Sequence, residues 1–187
     1  MIARPKLAMG LFLSSESVFF LLLILSFVFY RASPTNLPGA TPASSLDARH
    51  TGIFTACLLA SSVTVWLAGF NLKRGRHGWL RVWLLITVVL GAVFLYGQAS
   101  EYIRLVNKQV LVSKDVFAGA FFTLTGFHGF HVFVGLVVLL IFLGLAQGGD
   151  FKDKKGAVAF DTMSWYWHFV DAVWVVIFSV VYLWAAL

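Results

Sequence analysis

The chain has 187 residues, of which 60% are hydrophobic, 17% aromatic and only 12% charged. A soluble domain carries about 25% charged and about 45–50% apolar residues, so this composition excludes a soluble globular protein and a disordered one. The net charge of +6 comes from basic residues in short segments between apolar blocks, which indicates membrane orientation rather than nucleic-acid binding. A single cysteine excludes an internal disulfide and a cysteine-based zinc site.

Five apolar blocks succeed one another along the chain, each long enough to cross a membrane as a helix. They are continuous, whereas the strands of a membrane β-barrel would alternate with a period of two. The sequence therefore predicts an all-α integral membrane bundle of five transmembrane helices, forming a single membrane domain over 1–187. The predicted helices are about 9–30, 51–72, 80–102, 116–146 and 162–187, with polar loops at 31–50 and 147–156.

Lysine and arginine divide unevenly between the two sides of the predicted bundle. Nine lie in the N-terminal segment and around the second and fourth loops, and five lie on the other side. Because positive loops stay in the cytoplasm, we expect the N-terminus inside and the C-terminus outside.

Ionisable side chains inside membrane helices are costly, so each one marks either packing or function. The candidates are Glu16, His128, His131, His168 and Asp171. Depths counted from the predicted helix ends place three of these residues in one layer near the cytoplasmic side: Glu16, His168 and Asp171. There His168 and Asp171 are candidates for an imidazole–carboxylate pair, a buried proton site, a lipid-facing polar patch or an inter-helix hydrogen-bond cluster. Glu101 lies near a helix end, where we expect water to reach it.

The two histidines in the fourth predicted helix, His128 and His131, are three residues apart and share a helix face. They are candidates for a metal pair or for hydrogen bonds between closely packed helices. A haem held between His131 and His168 is disfavoured, because the predicted depths are about 22 Å and about 9 Å from the cytoplasmic ends of their helices.

An aromatic run, Trp165, Tyr166 and Trp167, lies just inside the predicted start of the fifth helix. Amphipathic rings favour the membrane interface, so the run predicts an interfacial belt, with a quinone site as the weaker alternative.

Two strings resemble a known family: TGFHGFHVFVG at 125–135 and YWHFVDAVW at 166–174. They are similar to subunit III of the haem–copper respiratory oxidases, the cytochrome c oxidase subunit III family. Glu16 matches the family's membrane glutamate, and Asp161 stands where many members have glutamate. The similarity covers about 10–184 and includes LFLSSESVFF at 11–20, SSVTVW at 61–66, LGAVFLYGQASEY at 90–102 and FDTMSWYWHFVD at 160–171. Five spans are typical of bacterial members, whereas mitochondrial members have seven.

The resemblance implies a non-catalytic subunit of a complex that reduces oxygen to water and pumps protons in aerobic respiratory electron transport. It implies that this chain holds no cofactor and no metal, since haem and copper belong to partner subunits. Subunit I is the expected main contact, and subunit II is in the same complex. The chain is further expected to stabilise subunit I, to bind phospholipids in a cleft that Glu16 faces, and to support proton uptake. The implied location is the bacterial plasma membrane.

Longer members of the family place a basic residue near the cytoplasmic end of the helix that carries the histidine pair. Here 141–149 has none, so Lys152, Lys154 and Lys155 are the candidates to bind a lipid headgroup instead. The close alternatives are subunit III of a quinol oxidase and the accessory subunit of a nitric oxide reductase. From other classes, an independent channel or transporter and a haem electron carrier stay open.

Overall fold

The computed structural model describes residues 4–32, 48–108, 116–149, 151 and 154–184. This part of the chain forms long α-helices, each with an apolar stretch sufficient to cross a membrane, and contains no strand. They are α1 Arg4–Ala32, α2 Ala48–Lys73, α3 His77–Asn107, α4 Val116–Gly148 and α5 Lys154–Phe178, and α5 continues as a π-helical turn over Ser179–Leu183. The prediction of an all-α membrane bundle with five spanning helices is confirmed.

The helices extend beyond the predicted apolar blocks, most clearly in α5, which begins at Lys154 and not near 162. Hydropathy marks only the part of a helix that contacts lipid, whereas backbone hydrogen bonding continues into the polar interface. The lysines, glycine and alanines of 154–159 lower the hydropathy, so the sequence did not predict this extension. Phe160 within it is nevertheless buried, with 1% exposed. Most of the predicted first loop, 33–47, and the end of the predicted last helix, 185–187, lie outside the described residues.

The turn between α2 and α3 is short and joins two antiparallel neighbours. The amide N–H groups of Gly75 and Arg76 donate to the carbonyls of Leu72 and Asn71, at 3.0 and 2.9 Å. Gly75 has a φ of 69°, a left-handed conformation that favours glycine. This tight connection makes the α2–α3 contact the most extensive one between any two helices in the described structure.

Helix α5 lies at the centre of the arrangement and contacts α1, α2 and α4, whereas α1 is the least covered helix. At one end of the bundle Asp161 of α5 accepts a hydrogen bond from Lys6 of α1 at 2.8 Å. Lys73, at the end of α2, lies 3.6 Å from the other oxygen of the same carboxylate. This ion cluster ties α1 and α2 to α5 at the end where all three have basic residues.

The centre of the bundle is organised around the fully buried ring of Trp167. Its indole N–H donates to the Ser61 hydroxyl at 2.9 Å. The ring occupies space left by two glycines: a Cβ atom at Gly91 would lie 2.9 Å from it, and one at Gly135 would lie 2.8 Å from it. Trp167 therefore links α5 to α2, α3 and α4 through a position that only glycine neighbours allow.

Candidate functional site

A cleft of about 1230 Å³ opens between α1, α4 and α5. Lys155 lines it near the start of α5, and Tyr166 lines it eleven residues further along, about 16 Å away at the α-helical rise. The walls are mainly apolar and aromatic, with Phe12 and Phe19 from α1, Phe127 and Phe130 from α4, and Met163 and Tyr166 from α5. Such a surface suits flexible hydrocarbon.

The polar wall of the cleft is formed by Glu16 of α1 and His131 of α4, whose Oε2 and Nε2 atoms are 3.1 Å apart. The other ring nitrogen of His131, Nδ1, is 2.7 Å from the Phe127 carbonyl oxygen. A carbonyl can only accept, so Nδ1 carries a proton. The contact with Glu16 therefore holds one further proton, on the carboxyl or on the imidazole, and the pair remains neutral in either case.

Neighbouring groups fix this pair in place. The Tyr166 hydroxyl donates to the backbone carbonyl of His131 at 2.9 Å. The ring of Phe20 meets the imidazole of His131 edge-on, with centroids 5.0 Å apart. Helix spacing alone did not indicate the Glu16–His131 pair, because it depends on how α1 is rotated against α4.

His168 and Asp171 belong to a second polar cluster, on the side of α5 that faces α2. The Ser62 hydroxyl of α2 lies 2.9 Å from His168 Nδ1 and donates to Asp171 Oδ2. Asp171 is 3% exposed. Glu16 contacts α4, whereas His168 and Asp171 contact α2, so the shared layer that the sequence predicts does not bring the three side chains together. Ser62 bridges the imidazole and the carboxyl, and no sequence signal had singled it out.

The predicted difference in depth between His131 and His168, counted from the end of α4 and from the start of α5, is wrong. His131 is 17 residues from the end of α4 and His168 is 14 residues from the start of α5, which gives about 25 Å and about 21 Å. The error came from starting α5 eight residues too late. What separates the two imidazoles is their partners: Glu16 for one and Ser62 for the other.

His128 is fully buried and does not line the cleft with His131. Its ring stacks on Trp174 at 4.7 Å between centroids and meets the edge of Phe94 at 5.9 Å. Neither of its ring nitrogens has a hydrogen-bond partner among the described residues. The predicted pair of histidines therefore divides between the core and the cleft, because packing rather than spacing sets the direction of each ring.

The aromatic run predicted as an interfacial belt has three different environments. Trp165 is 45% exposed, and the Lys6 ammonium lies 5.6 Å from its ring centroid. Tyr166 lines the cleft, and Trp167 is fully buried. Successive residues of a helix are about 100° apart, so three in a row cannot share one surface.

Glu101 is also placed differently from the prediction that water reaches it, since only 4% of it is exposed. Its Oε2 atom accepts hydrogen bonds from Thr51 at 2.9 Å and from Tyr182 at 2.8 Å. Tyr182 lies in the π-helical turn that continues α5. This extension of α5 covers the carboxyl group, and the apolar sequence of the last block did not reveal it.

Of the three lysines predicted as headgroup partners, Lys155 is exposed and lines the cleft. Lys152 and the side chain of Lys154 lie outside the described residues. Within the described ranges, no three His, Cys, Asp or Glu side chains come close enough together to hold a metal ion.

Five spanning helices joined by part-buried polar contacts, Glu16 with His131 and Ser62 with His168 and Asp171, define an integral membrane protein whose polar groups connect its own helices. The family model described as cytochrome c oxidase subunit III matches residues 3–186, and the chain belongs to this family.

Several relatives carry the corresponding name. The cytochrome c oxidase subunit 3 of Corynebacterium diphtheriae is 35% identical over 172 residues, which is 91% of this chain and 83% of that protein. The probable cytochrome c oxidase subunit 3 of Mycobacterium leprae is 35% identical over 171 residues, again 91% and 83%. The cytochrome c oxidase subunit 3 of Synechocystis sp. is 34% identical over 174 residues, covering 92% of this chain and 72% of that protein.

Proposed function

We propose that this chain is the non-catalytic subunit III of a haem–copper terminal oxidase that accepts electrons from cytochrome c, reduces oxygen to water and pumps protons. Family membership supports the subunit assignment, and the names of the relatives favour cytochrome c over quinol as the electron donor. The haem groups and copper belong to subunits I and II, and subunit I is the main contact. The chain lies in a bacterial plasma membrane with its N-terminus in the cytoplasm, in line with the lysine and arginine distribution.

The observation that carries the functional proposal is the cleft between α1, α4 and α5, with the Glu16–His131 pair in its wall. Phospholipid acyl chains fill this cleft against the aromatic side chains. Lys155 binds the anionic headgroup at the end of the cleft near the start of α5. Lipid in this position supports α1, which protein covers least, and so holds the surface presented to subunit I in one arrangement.

The acid–imidazole pair gives the same cleft a role in proton uptake. The shared proton leaves no net charge in the apolar wall, so the pair passes a proton on only when another replaces it, and the wall is neutral again at the end of the step. Tyr166 fixes the backbone of His131 and keeps the two groups at hydrogen-bond distance. His128, His168 and Asp171 contribute to this function by holding α4, α5 and α2 in register.

Replacing Glu16 with glutamine tests whether this carboxyl group is auxiliary to oxygen reduction. The amide keeps the volume and can donate to His131, so we expect normal assembly, normal haem content and an initial rate of oxygen reduction close to wild type. Carboxyl modification by a hydrophobic carbodiimide should be lost at position 16. Loss of haem from the complex in this variant would contradict a non-catalytic role.

Removing the whole chain tests the supporting role. We expect subunits I and II to retain their initial activity but to inactivate after fewer turnovers, measured by oxygen consumption over time. Immediate and complete loss of activity with subunit I still folded would contradict the proposal.

For the lipid contact, Lys155→Gln should lower the co-purified anionic phospholipid, whereas Arg76→Gln, an exposed basic residue outside the cleft lining, should not.

A further inference from the structure

A second polar feature reaches the surface of the bundle at the seam between α2 and α5, and we call Ser62, His168 and Asp171 the polar notch. The single proton of the Ser62 hydroxyl is donated to Oδ2 of Asp171. The Ser62 oxygen must then accept from His168, so Nδ1 of the imidazole carries a proton. The remaining nitrogen, Nε2, has a free lone pair and no hydrogen-bond partner among the described residues.

The notch lies near the middle of α2 and of α5 along their length. Ser62 is 14 residues from the start of α2 and 11 from its end, and His168 is 14 residues from the start of α5. These distances correspond to about 16–21 Å along each helix, too deep for a lipid headgroup to reach. Ser62 and His168 are nevertheless only partly buried within this chain.

The notch is separate from the lipid cleft. Tyr166 lines the cleft, and His168 comes two positions later, about 200° around α5. Two large aromatic side chains lie one helical turn along from notch residues: Trp66, four positions after Ser62, is 60% exposed, and Trp165, three positions before His168, is 45% exposed. Tryptophan is enriched among the residues that contribute most to protein interfaces.

Polar and ionisable side chains within membrane helices almost always face protein or a water-filled cavity rather than lipid. We propose that the polar notch is the docking site for a transmembrane helix of another oxidase subunit, which donates a hydrogen bond to His168 Nε2 and packs between Trp66 and Trp165. The inference rests on the proposed function, because it requires this chain to be part of an oxidase complex. The partner is a helix with a hydroxyl, amide or indole donor at mid-membrane depth.

Two matched substitutions separate docking from internal packing. His168→Gln places its amide near the position of Nε2 and keeps a hydrogen-bonding group toward the partner. His168→Asn places its amide near the position of Nδ1 and keeps the contact with Ser62. The measurement is the fraction of this chain retained on the intact complex after dilution into mild detergent, followed by gel filtration.

If the notch docks a helix, the asparagine variant dissociates about 3- to 30-fold more readily than wild type, as expected for loss of one inter-helix hydrogen bond, and the glutamine variant stays close to wild type. Better retention of the asparagine variant, or equal behaviour of the two, would overturn the proposal and assign His168 to internal packing alone.

A photo-crosslinking experiment directly identifies the helix that packs against the notch. Benzoylphenylalanine in place of Trp66 should attach to a helix of another oxidase subunit within one turn of a polar side chain, located by mass spectrometry. Attachment to lipid alone, in a complex that still contains this chain, would refute docking and leave the proposed function standing. Failure of the wild-type chain to co-purify with oxidase subunits would instead refute the proposed function.

Discussion

The glycine at position 135 gives the sharpest test of how the bundle packs. Gly135→Ala adds a Cβ atom 2.8 and 2.9 Å from two carbons of the Trp167 ring and 3.2 Å from Tyr166. The Trp167 ring cannot move away, because it is fully buried and its N–H is held by Ser61. Ordinary carbon contacts begin near about 3.5 Å, so the backbone of α4 must shift.

Overpacking of this kind costs about 1–3 kcal/mol. The matched control is Gly144→Ala on the same helix, where the added Cβ meets nothing within 4 Å. Both variants gain the same helix propensity, so the difference between them isolates the steric cost. We expect the unfolding equilibrium constant of the Gly135 variant to exceed that of the Gly144 variant by about 5- to 150-fold.

The assay is unfolding by a denaturing detergent in mixed micelles, monitored by tryptophan fluorescence and by circular dichroism. Equal stability of the two variants would show that the Trp167 pocket adapts freely and that this tryptophan does not fix the contact between α4 and α5. A further substitution of Trp167 by phenylalanine, which has a smaller ring, should recover part of the stability lost in Gly135→Ala.

Two further predictions concern the ends of the bundle. Tyr182→Phe removes one of the two hydroxyl donors to the buried Glu101 carboxyl and should cost about 1–3 kcal/mol in the same unfolding assay, whereas an unchanged midpoint would mean that water replaces the donor. Lys6→Ala removes the partly exposed ion pair with Asp161 and should cost only about 0.2–1 kcal/mol, an effect that shrinks in high salt; a cost of several kcal/mol would show that the pair is effectively buried.

The sequence was informative about features that depend on composition and uninformative about those that depend on helix rotation. Long apolar blocks were enough to predict the five spans, because lipid demands continuous hydrophobicity. The predicted start of α5 was about eight residues too late, since hydropathy does not detect a helix that continues through small and polar residues such as those before Phe160. The family resemblance rested on particular strings of residues and not on hydropathy or spacing.

The polar contacts illustrate the limit more clearly. His128 and His131 are three residues apart, yet one ring enters the core and the other reaches Glu16. No periodicity in α4 distinguishes them, because the direction of each ring depends on side chains contributed by α1, α3 and α5. Ser62 was overlooked for a related reason: a serine in a membrane helix is common, and only its position opposite His168 gives it a role.

The π-helical turn at Ser179–Leu183 has a consequence for length changes near the end of α5. A π turn accommodates about one residue more than an α turn, so deleting a single residue there would restore α-helical winding and leave the residues beyond the turn facing as before. The same deletion within the α-helical part of α5, with the turn kept, would rotate every later residue by about 100° and point Tyr182 away from Glu101. The turn is therefore the place where this end of the molecule tolerates a change in length, and homologues that are one residue shorter there can keep the same facing beyond it.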